Sequence, residues 1–152
     1  MSYLVDTNVL LRLTDKGDPL RGIVNDAVTA LLERGERIYY TQQNRREFWN
    51  VATRPVNKNG FGFSVSETVD RLVRIDAIFT RLPDRPESGP EWDRLVTQYG
   101  VHGSAVHDAQ LVAAMLAHGI PRILTFNGED FRRYAGEVTP MHPMQCVEQV
   151  DD

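Results

Sequence analysis

A chain of 152 residues has the usual size of one globular domain, and its 41% apolar content is enough for a single packed core. The formal net charge of −4 argues against broad electrostatic binding to nucleic acid, while a local basic patch stays compatible with it. The single cysteine, Cys146, excludes an internal disulfide and a cysteine-only metal site. Because the chain has neither a bilayer-length apolar run nor the pattern of a signal peptide, we expect a cytoplasmic protein.

Short apolar runs and helical patterns alternate along the chain. Residues 3–5, 38–40 and 123–124 predict buried strands. Capping and stop signals predict helices over residues 20–34, 41–51, 64–82 and 105–118, with a loop over residues 83–90. Ser64 and Glu67 form a capping box for the third helix, and Ser104 is the expected cap of the fourth. This alternation predicts an α/β domain with a mostly parallel sheet, in which ligand sites form beyond the carboxyl ends of the strands.

Three carboxylates occupy positions where such a sheet builds its sites. Asp6 directly follows the first strand, although an aspartate there is also a favoured N-cap. Glu47 lies about 40° from Val51 on its helix, on the flank of the apolar stripe, where a solvated glutamate is the simpler interpretation. Asp108 falls about 60° from the centre of the next helix's apolar stripe, and it could instead complement the helix dipole.

The three acids are more informative together than singly. Two carboxylates at 4 Å repel by ~4 kcal/mol at an effective dielectric of 20, so a cluster holds either protons or a cation. Mg²⁺ takes one or two carboxylates together with water and phosphate oxygens, and it promotes hydrolysis of phosphodiesters. A convergent set of Asp6, Glu47 and Asp108 therefore predicts metal-dependent chemistry on a phosphodiester.

Four segments in order carry a resemblance to a known family: residues 3–10, the helix with Glu47, residues 107–114 and residues 123–131. The chain resembles PIN domains, and among them the VapC-type toxins of bacterial toxin–antitoxin pairs. The resemblance implies a three-layer α/β/α fold over residues 1–140 with a C-terminal tail over residues 141–152. It also implies a cytoplasmic endoribonuclease that uses Mg²⁺ or Mn²⁺, with a small antitoxin as partner and a homodimer as the expected assembly.

The resemblance assigns catalysis and metal binding to Asp6, Glu47 and Asp108. The family often has a fourth acid after the last core strand, where this chain has Asn127. Asp130, three residues later, is the candidate substitute metal ligand, although a helix-turn residue ahead of Phe131 is an equal interpretation.

The basic and aromatic segment after the Glu47 helix departs from the plainest family pattern. We expect substrate contacts from Asn8, Arg46, Arg54 and Asn127, with further phosphate contacts possible from Arg45 and Lys58. Phe61 or Phe63 could stack on a base, although aromatics folded back onto the core are the simpler interpretation.

Two other functions fit part of the pattern. A haloacid-dehalogenase-type phosphatase also begins with a strand and an aspartate, but it requires a second aspartate where this chain has Asn8. A PIN-like module that binds RNA or a protein without cutting is the main alternative to an enzyme.

Overall fold

A five-stranded parallel sheet forms the centre of the computed structural model, which describes residues 1–148. The strands are β1 (Ser2–Val5), β2 (Arg37–Tyr40), β3 (Thr80–Arg81), β4 (Arg122–Leu124) and β5 (Thr139–Met141). Their order across the sheet is β3-β2-β1-β4-β5, and every neighbouring pair is parallel. The central strand β1 is apolar on both faces, as expected of a strand covered on both sides.

Helices cover both faces of the sheet. They are α1 (Thr7–Thr14), α2 (Arg21–Glu33), α3 (Gln42–Thr53), α4 (Val65–Ile78), α5 (Ser88–Gln98), α6 (Val106–His118) and α7 (Pro143–Glu148), with 3-10 turns at Val56–Lys58, Gly103–Ala105 and Gly128–Tyr134. Alternate residues of β1 belong to different cores: Tyr3 and Val5 pack with residues of α1 to α4, whereas Leu4 packs with residues of α5 and α6. The result is the predicted α/β/α sandwich with a parallel sheet.

Local signals placed most helix starts correctly. Thr41 accepts a hydrogen bond from the Asn44 amide at 3.2 Å at the start of α3, and Ser64 accepts one from the Glu67 amide at 3.0 Å at the start of α4. Gly119, with φ of 68°, ends α6 in the left-handed conformation that favours glycine.

Three local expectations were wrong, and strand β5 was missed. The third predicted helix stops at Ile78, because the chain turns there into the short strand β3. The expected loop over residues 83–90 is shorter, since α5 begins at Ser88. Ser104 lies inside a 3-10 turn and caps nothing, so α6 begins at Val106. Strand β5 was not expected, because it contains Pro140, and proline is tolerated there only because β5 is an edge strand.

The C-terminal segment packs onto the domain as far as the structure describes it. Helix α7 lies against α2, and Cys146 is fully buried in the first core. Residues 149–152 of the predicted tail lie outside the described residues. Within residues 1–148, no helix combines the length and apolar character needed to cross a bilayer.

Candidate active site

Asp6 lies at the carboxyl end of the central strand and begins helix α1. Its Oδ1 accepts a hydrogen bond from the Thr7 amide at 2.8 Å, so it caps the helix as well as ending the strand. Its Oδ2 accepts bonds from the Thr125 hydroxyl at 2.7 Å and from the Asn8 amide at 3.4 Å. The side chain is only 8% exposed, so these donors replace the water that a carboxylate otherwise needs.

Strand pairing explains why Thr125 meets Asp6. Strands β1 and β4 run parallel with Val5 opposite Leu124, so the next residue of each strand reaches the same edge of the sheet. The Thr125 hydroxyl also accepts a bond from the Asn127 amide at 2.9 Å, which orders the backbone that leaves β4. The sheet edge thus holds one buried carboxylate between two strand ends.

Glu47 joins this edge from helix α3. Its Oε2 accepts a hydrogen bond from the Thr7 hydroxyl, and its Oε1 accepts one from the Gln43 amide, both at 2.8 Å. The same Gln43 amide donates to the His107 carbonyl at 2.7 Å, while the Asn44 amide donates to the Thr7 hydroxyl at 3.0 Å. Gln43 is one helical turn before Glu47 and therefore lies on the same face. This network ties the glutamate to both α1 and α6.

Asp108 lies in the first turn of α6. Burial raises the pKa of its carboxyl to about 7, and the negative charges of Asp6, Asp130 and Glu47 act in the same direction, while Arg133 opposes them. Burial likewise raises the pKa of Asp6 to about 6 against the hydrogen bonds from Thr125 and Thr7. Glu47 and Asp130 raise it further. The charges of Glu47 and Asp130 thus act on both Asp6 and Asp108.

A cavity of about 490 Å³ gives ligands access to two of the acids, Glu47 and Asp108. It is lined by Arg46, Glu47, Asn50, His107 and Asp108. An arginine, an amide and two carboxylates around one opening can bind a phosphate and a cation side by side.

The donor set fits a hard divalent cation that retains part of its water. Among residues 1–148, no three His, Cys, Asp or Glu side chains form a ready-made metal cluster. Mg²⁺ needs no such protein cage, because one or two carboxylates with water and substrate oxygens complete its shell. The amide oxygen of Asn8 is buried without a hydrogen-bond partner in the described part of the chain, and its own amide nitrogen contacts Asp6. An oxygen that lacks a donor beside a carboxylate is the kind of group a cation or its water satisfies.

The predicted substrate residues divide into two groups. Asn8 contacts Asp6, Arg46 lines the cavity, and Asn127 bonds to Thr125, so the structure brings these three to the site. Arg54 lies two helical turns beyond Glu47, ~10 Å along the axis, and donates to the Asn59 carbonyl at 2.9 Å. Arg54 thus closes a local turn and is not brought to the cavity.

Arg45, Phe61 and Phe63, which were also considered for RNA contacts, have partners elsewhere in the domain. Arg45 pairs with Asp76 at 3.1 Å. Phe61 and Phe63 contact each other edge to face with ring centres 5.4 Å apart, and Arg71 lies 3.7 Å from the centre of the Phe63 ring. The simpler interpretation, aromatics folded back onto the domain, describes these rings.

Sequence reasoning named the acids but passed over the side chains that hold them. Thr125, Gln43 and Asn44 are all buried and polar, and each bonds to Asp6, Glu47 or Thr7. Two signals were available in the sequence. Thr125 directly follows a predicted strand, as Asp6 does, and Gln43 is four residues before Glu47 on one helix.

Comparison with known proteins agrees with this architecture. The PIN domain family model matches residues 3–137. The chain belongs to the PIN domain family. The fold resembles that of VapBC2 from Rickettsia felis bound to a DNA fragment from their promoter, with 15% identity and a TM-score of 0.69 over 93% of this chain and 98% of that chain.

Two further solved structures share this PIN fold. The toxin VapC20 of Mycobacterium tuberculosis, which cleaves the sarcin–ricin loop, is 20% identical with a TM-score of 0.61, over 90% of this chain and 96% of that chain. FitAcB from Neisseria gonorrhoeae is 13% identical with a TM-score of 0.63, over 95% of this chain and 99% of that chain. No curated protein sequence matches the chain. At these identities the likeness concerns the fold, and the predicted membership of the PIN family is confirmed by the family match.

Proposed function

We propose that this PIN domain is a metal-dependent endoribonuclease and the toxin of a VapBC-type toxin–antitoxin pair. The observation that carries the proposal is the convergence of three acids beyond the carboxyl end of β1: Thr7 bonds to both Asp6 and Glu47, and Glu47 and Asp108 line one cavity. Burial is the largest cause of the raised pKa values of Asp6 and Asp108, the neighbouring acids add to it, and acids with raised pKa values are a frequent mark of a functional site. The likeness to VapC20, a toxin that cleaves the sarcin–ricin loop, supports RNA as the substrate.

In the proposed reaction, the acids hold a cation and the cavity holds the RNA backbone. Asp6, Glu47 and Asp108 are the proposed metal ligands and catalytic residues, with Asp130 as an additional ligand. When bound, Mg²⁺ or Mn²⁺ lowers the pKa of a water and stabilises negative charge on the phosphate. Arg46 binds a phosphate oxygen pair at the cavity mouth.

The hydrogen-bond network fixes which groups can move protons in this site. Thr7 and Gln43 occupy one oxygen each of Glu47, so this carboxylate is held in one orientation. Asp6 is equally constrained by Thr7 and Thr125. Asp108 accepts no hydrogen bond from the described residues 1–148, and its pKa of about 7 is raised by burial and by the neighbouring acids, an effect that a bound cation would oppose.

Cleavage of RNA with and without metal tests the proposal directly. The purified protein is incubated with structured RNAs in Mg²⁺, in Mn²⁺ and in EDTA, and we expect cutting only with metal. Metal should also stabilise the folded protein by RT ln(1 + [L]/Kd), or ~2.7 kcal/mol at one hundred times Kd, which a thermal melt detects. Identical RNA patterns in metal and EDTA, with a protein that still melts cooperatively, would identify a binding module instead of an enzyme.

We also propose an antitoxin partner and a homodimer. Val65, Val69 and Val73 repeat every four residues on α4 and are 62%, 45% and 62% exposed, which supports contact with another protein. Overexpression of the chain alone should slow growth, and co-expression with the adjacent reading frame should relieve it. Light scattering of the purified protein tests the dimer. Harmless overexpression of intact, soluble protein counts against the toxin, and a monomer mass counts against the dimer.

A further inference from the structure

Two further cavities adjoin the proposed catalytic cavity and are lined by residues of α3, α5, α6 and the segment before α5. The second has a volume of about 250 Å³ and shares Arg46 with the first. The third, of about 340 Å³, shares Ser88 and Gln110 with the second and is also lined by Trp92. Because each cavity shares lining residues with the next, the three lie side by side, and we name this row the Arg46–Trp92 groove.

The polar side chains of the groove are available to a ligand. Within residues 1–148, Arg46 and Gln110 are exposed and make neither a salt bridge nor a side-chain hydrogen bond. Asp84 adds an acceptor, and the Ser88 hydroxyl, which donates to the Arg85 carbonyl at 2.8 Å, can still accept a hydrogen bond. A guanidinium is suited to a phosphate, whereas amides, carboxylates and hydroxyls are suited to the edges of an unpaired base.

Trp92 provides an aromatic surface at the far end of the groove. Its Nε1 donates to the Val106 carbonyl at 2.9 Å, which fixes the ring against the start of α6. The ring is half-buried among apolar residues of the second core and lines the third cavity with its remaining surface. A ring that is already held in place loses little conformational entropy when a base stacks on it.

We propose that the Arg46–Trp92 groove binds the nucleotide that flanks the scissile phosphate in single-stranded RNA. Arg46 contacts the flanking phosphate, Gln110, Ser88 and Asp84 contact the edge of the base, and Trp92 stacks on its face. The inference rests on the proposed ribonuclease function and adds to it the position of one substrate subsite. Phe61 and Phe63 contact each other, so the proposal assigns base stacking to Trp92 instead of to these two rings.

The chain offers a built-in control for the direction of the RNA. Arg46 also borders a cavity on its other side, which is lined by the only other tryptophan, Trp49, together with Val69, Leu72 and Val73. That cavity contains Arg45, which is already paired with Asp76, and its walls are largely apolar. An RNA that left the catalytic cavity toward α4 would meet Trp49 instead of Trp92.

Two single-tryptophan proteins distinguish the two directions. In Trp49→Phe only Trp92 reports, and in Trp92→Phe only Trp49 reports. A six-nucleotide single-stranded RNA of mixed sequence is titrated in EDTA at low salt, where the proposed cleavage does not run and phosphate contacts are strong. We expect saturable quenching of Trp92 fluorescence and unchanged Trp49 fluorescence. Quenching of Trp49 alone, equal quenching of both, or no quenching at any RNA concentration overturns the proposal.

Surface variants give the second measurement, which does not depend on the tryptophans. Gln110→Ala and Arg46→Gln should each weaken RNA binding by about tenfold in fluorescence anisotropy. The matched control Arg74→Gln removes an exposed arginine from α4 and should leave affinity unchanged. Affinities of Gln110→Ala and Arg46→Gln equal to that of the control contradict the groove. RNA binding in the groove without metal-dependent cleavage would reject the proposed function alone, and cleavage without Trp92 quenching would reject the groove alone.

Discussion

Asp6 and Asp108 both have raised pKa values, yet the chain supports the two carboxylates differently. Asp6 is 8% exposed and accepts hydrogen bonds from Thr7, Thr125 and Asn8. Asp108 accepts none from any residue in the described range 1–148, and the opposing charge of Arg133 is smaller in effect than burial and the neighbouring acids. The higher pKa, about 7 against about 6, belongs to the carboxylate without hydrogen bonds.

The difference lies in how much of each negative charge the fold itself compensates. Hydrogen bonds to a buried carboxylate favour its charged form, so folding alone compensates part of the charge of Asp6. Asp108 lacks such bonds among the described residues, and the proposed cation would supply the missing positive charge. Changing each carboxylate separately tests this difference.

The largest expected effect is on cleavage. Asp108→Asn keeps the shape of the side chain and removes one charge from the proposed metal site, so we expect a loss of at least ~100-fold in RNA cleavage with Mg²⁺. Asp6→Asn should lose as much, because both carboxylates hold the same cation. The control Asp70→Asn removes an exposed acid of α4 and should cleave at the normal rate. Near-normal cleavage by Asp108→Asn would remove this residue from the active site.

Stability without metal should separate the two carboxylates by sign. Asp6→Ala removes the cap of α1 and leaves the Thr7 amide and the Thr125 hydroxyl without their acceptor, so we expect a loss of about 1–3 kcal/mol. Asp108→Asn removes a repulsive partner and no hydrogen bond, so its unfolding free energy in EDTA should stay equal or rise by up to ~2 kcal/mol. Urea unfolding in EDTA at pH 8 measures both.

If Asp108 were only a surface acid facing the helix dipole, the same change would cost up to ~1 kcal/mol. If Asp108→Asn is destabilised and Mg²⁺ stabilises it as much as the unchanged protein, Asp108 is a surface acid outside the metal site. If Asp108→Asn is stabilised in EDTA and Mg²⁺ stabilises it less, Asp108 belongs to the proposed metal site.

The free energy of unfolding should depend on pH because Asp6 and Asp108 have raised pKa values in the folded protein. Both pKa values are raised above the ordinary 3.8, to about 6 and about 7, so between pH ~4 and ~7 the folded chain binds more protons than the unfolded chain. This contribution to the free energy of unfolding is highest below pH ~4, falls as the pH rises, and levels off above pH ~7. Urea unfolding in EDTA from pH 4 to 8 should show the decline. Asp108→Asn should reduce it, and an unaltered slope in that variant would mean that other groups cause it.

Periodicity and capping were enough to predict the parallel α/β class and the elements that carry the three acids. Helix α3 with its Thr41 cap and α6 with its Gly119 end depend on contacts within a few residues, which a single sequence displays. The convergence of Asp6 and Thr125 depends instead on the register of β1 against β4, with 119 residues between the two side chains. Sequence position could suggest that pairing but could not measure it.

The elements that were missed have weak local signals. Strand β3 has only two residues, both exposed, and β5 contains a proline, so neither shows the apolar run of a buried strand. Both form because they add to the edges of a sheet that other strands have already built. The prediction for Arg54 failed for a different reason, because its sequence signal was clear but its guanidinium has a local partner. Arg54 looked free to bind phosphate, but its guanidinium closes a turn onto Asn59.

The smallest expected effect on cleavage concerns the support of Asp6. Thr125→Val keeps the shape but removes the hydroxyl that donates to Asp6 at 2.7 Å and accepts from the Asn127 amide at 2.9 Å. Loss of a hydrogen bond to a charged group should destabilise the protein by about 1.5–3 kcal/mol at pH 8, and by less at pH 4, where Asp6 is protonated. The pKa of Asp6 should rise further, because a hydrogen bond that favours its charged form is gone. Cleavage by the variant should therefore fall more at pH 6 than at pH 8, since protons compete better with the cation.

Thr125→Ser retains the hydroxyl and should keep the pH profile of cleavage. If Thr125→Val and Thr125→Ser have the same pH profile of cleavage, the Thr125 hydroxyl does not set the pKa of Asp6. The hydrogen bonds that favour the charged form of Asp6 are then those from Thr7 and Asn8.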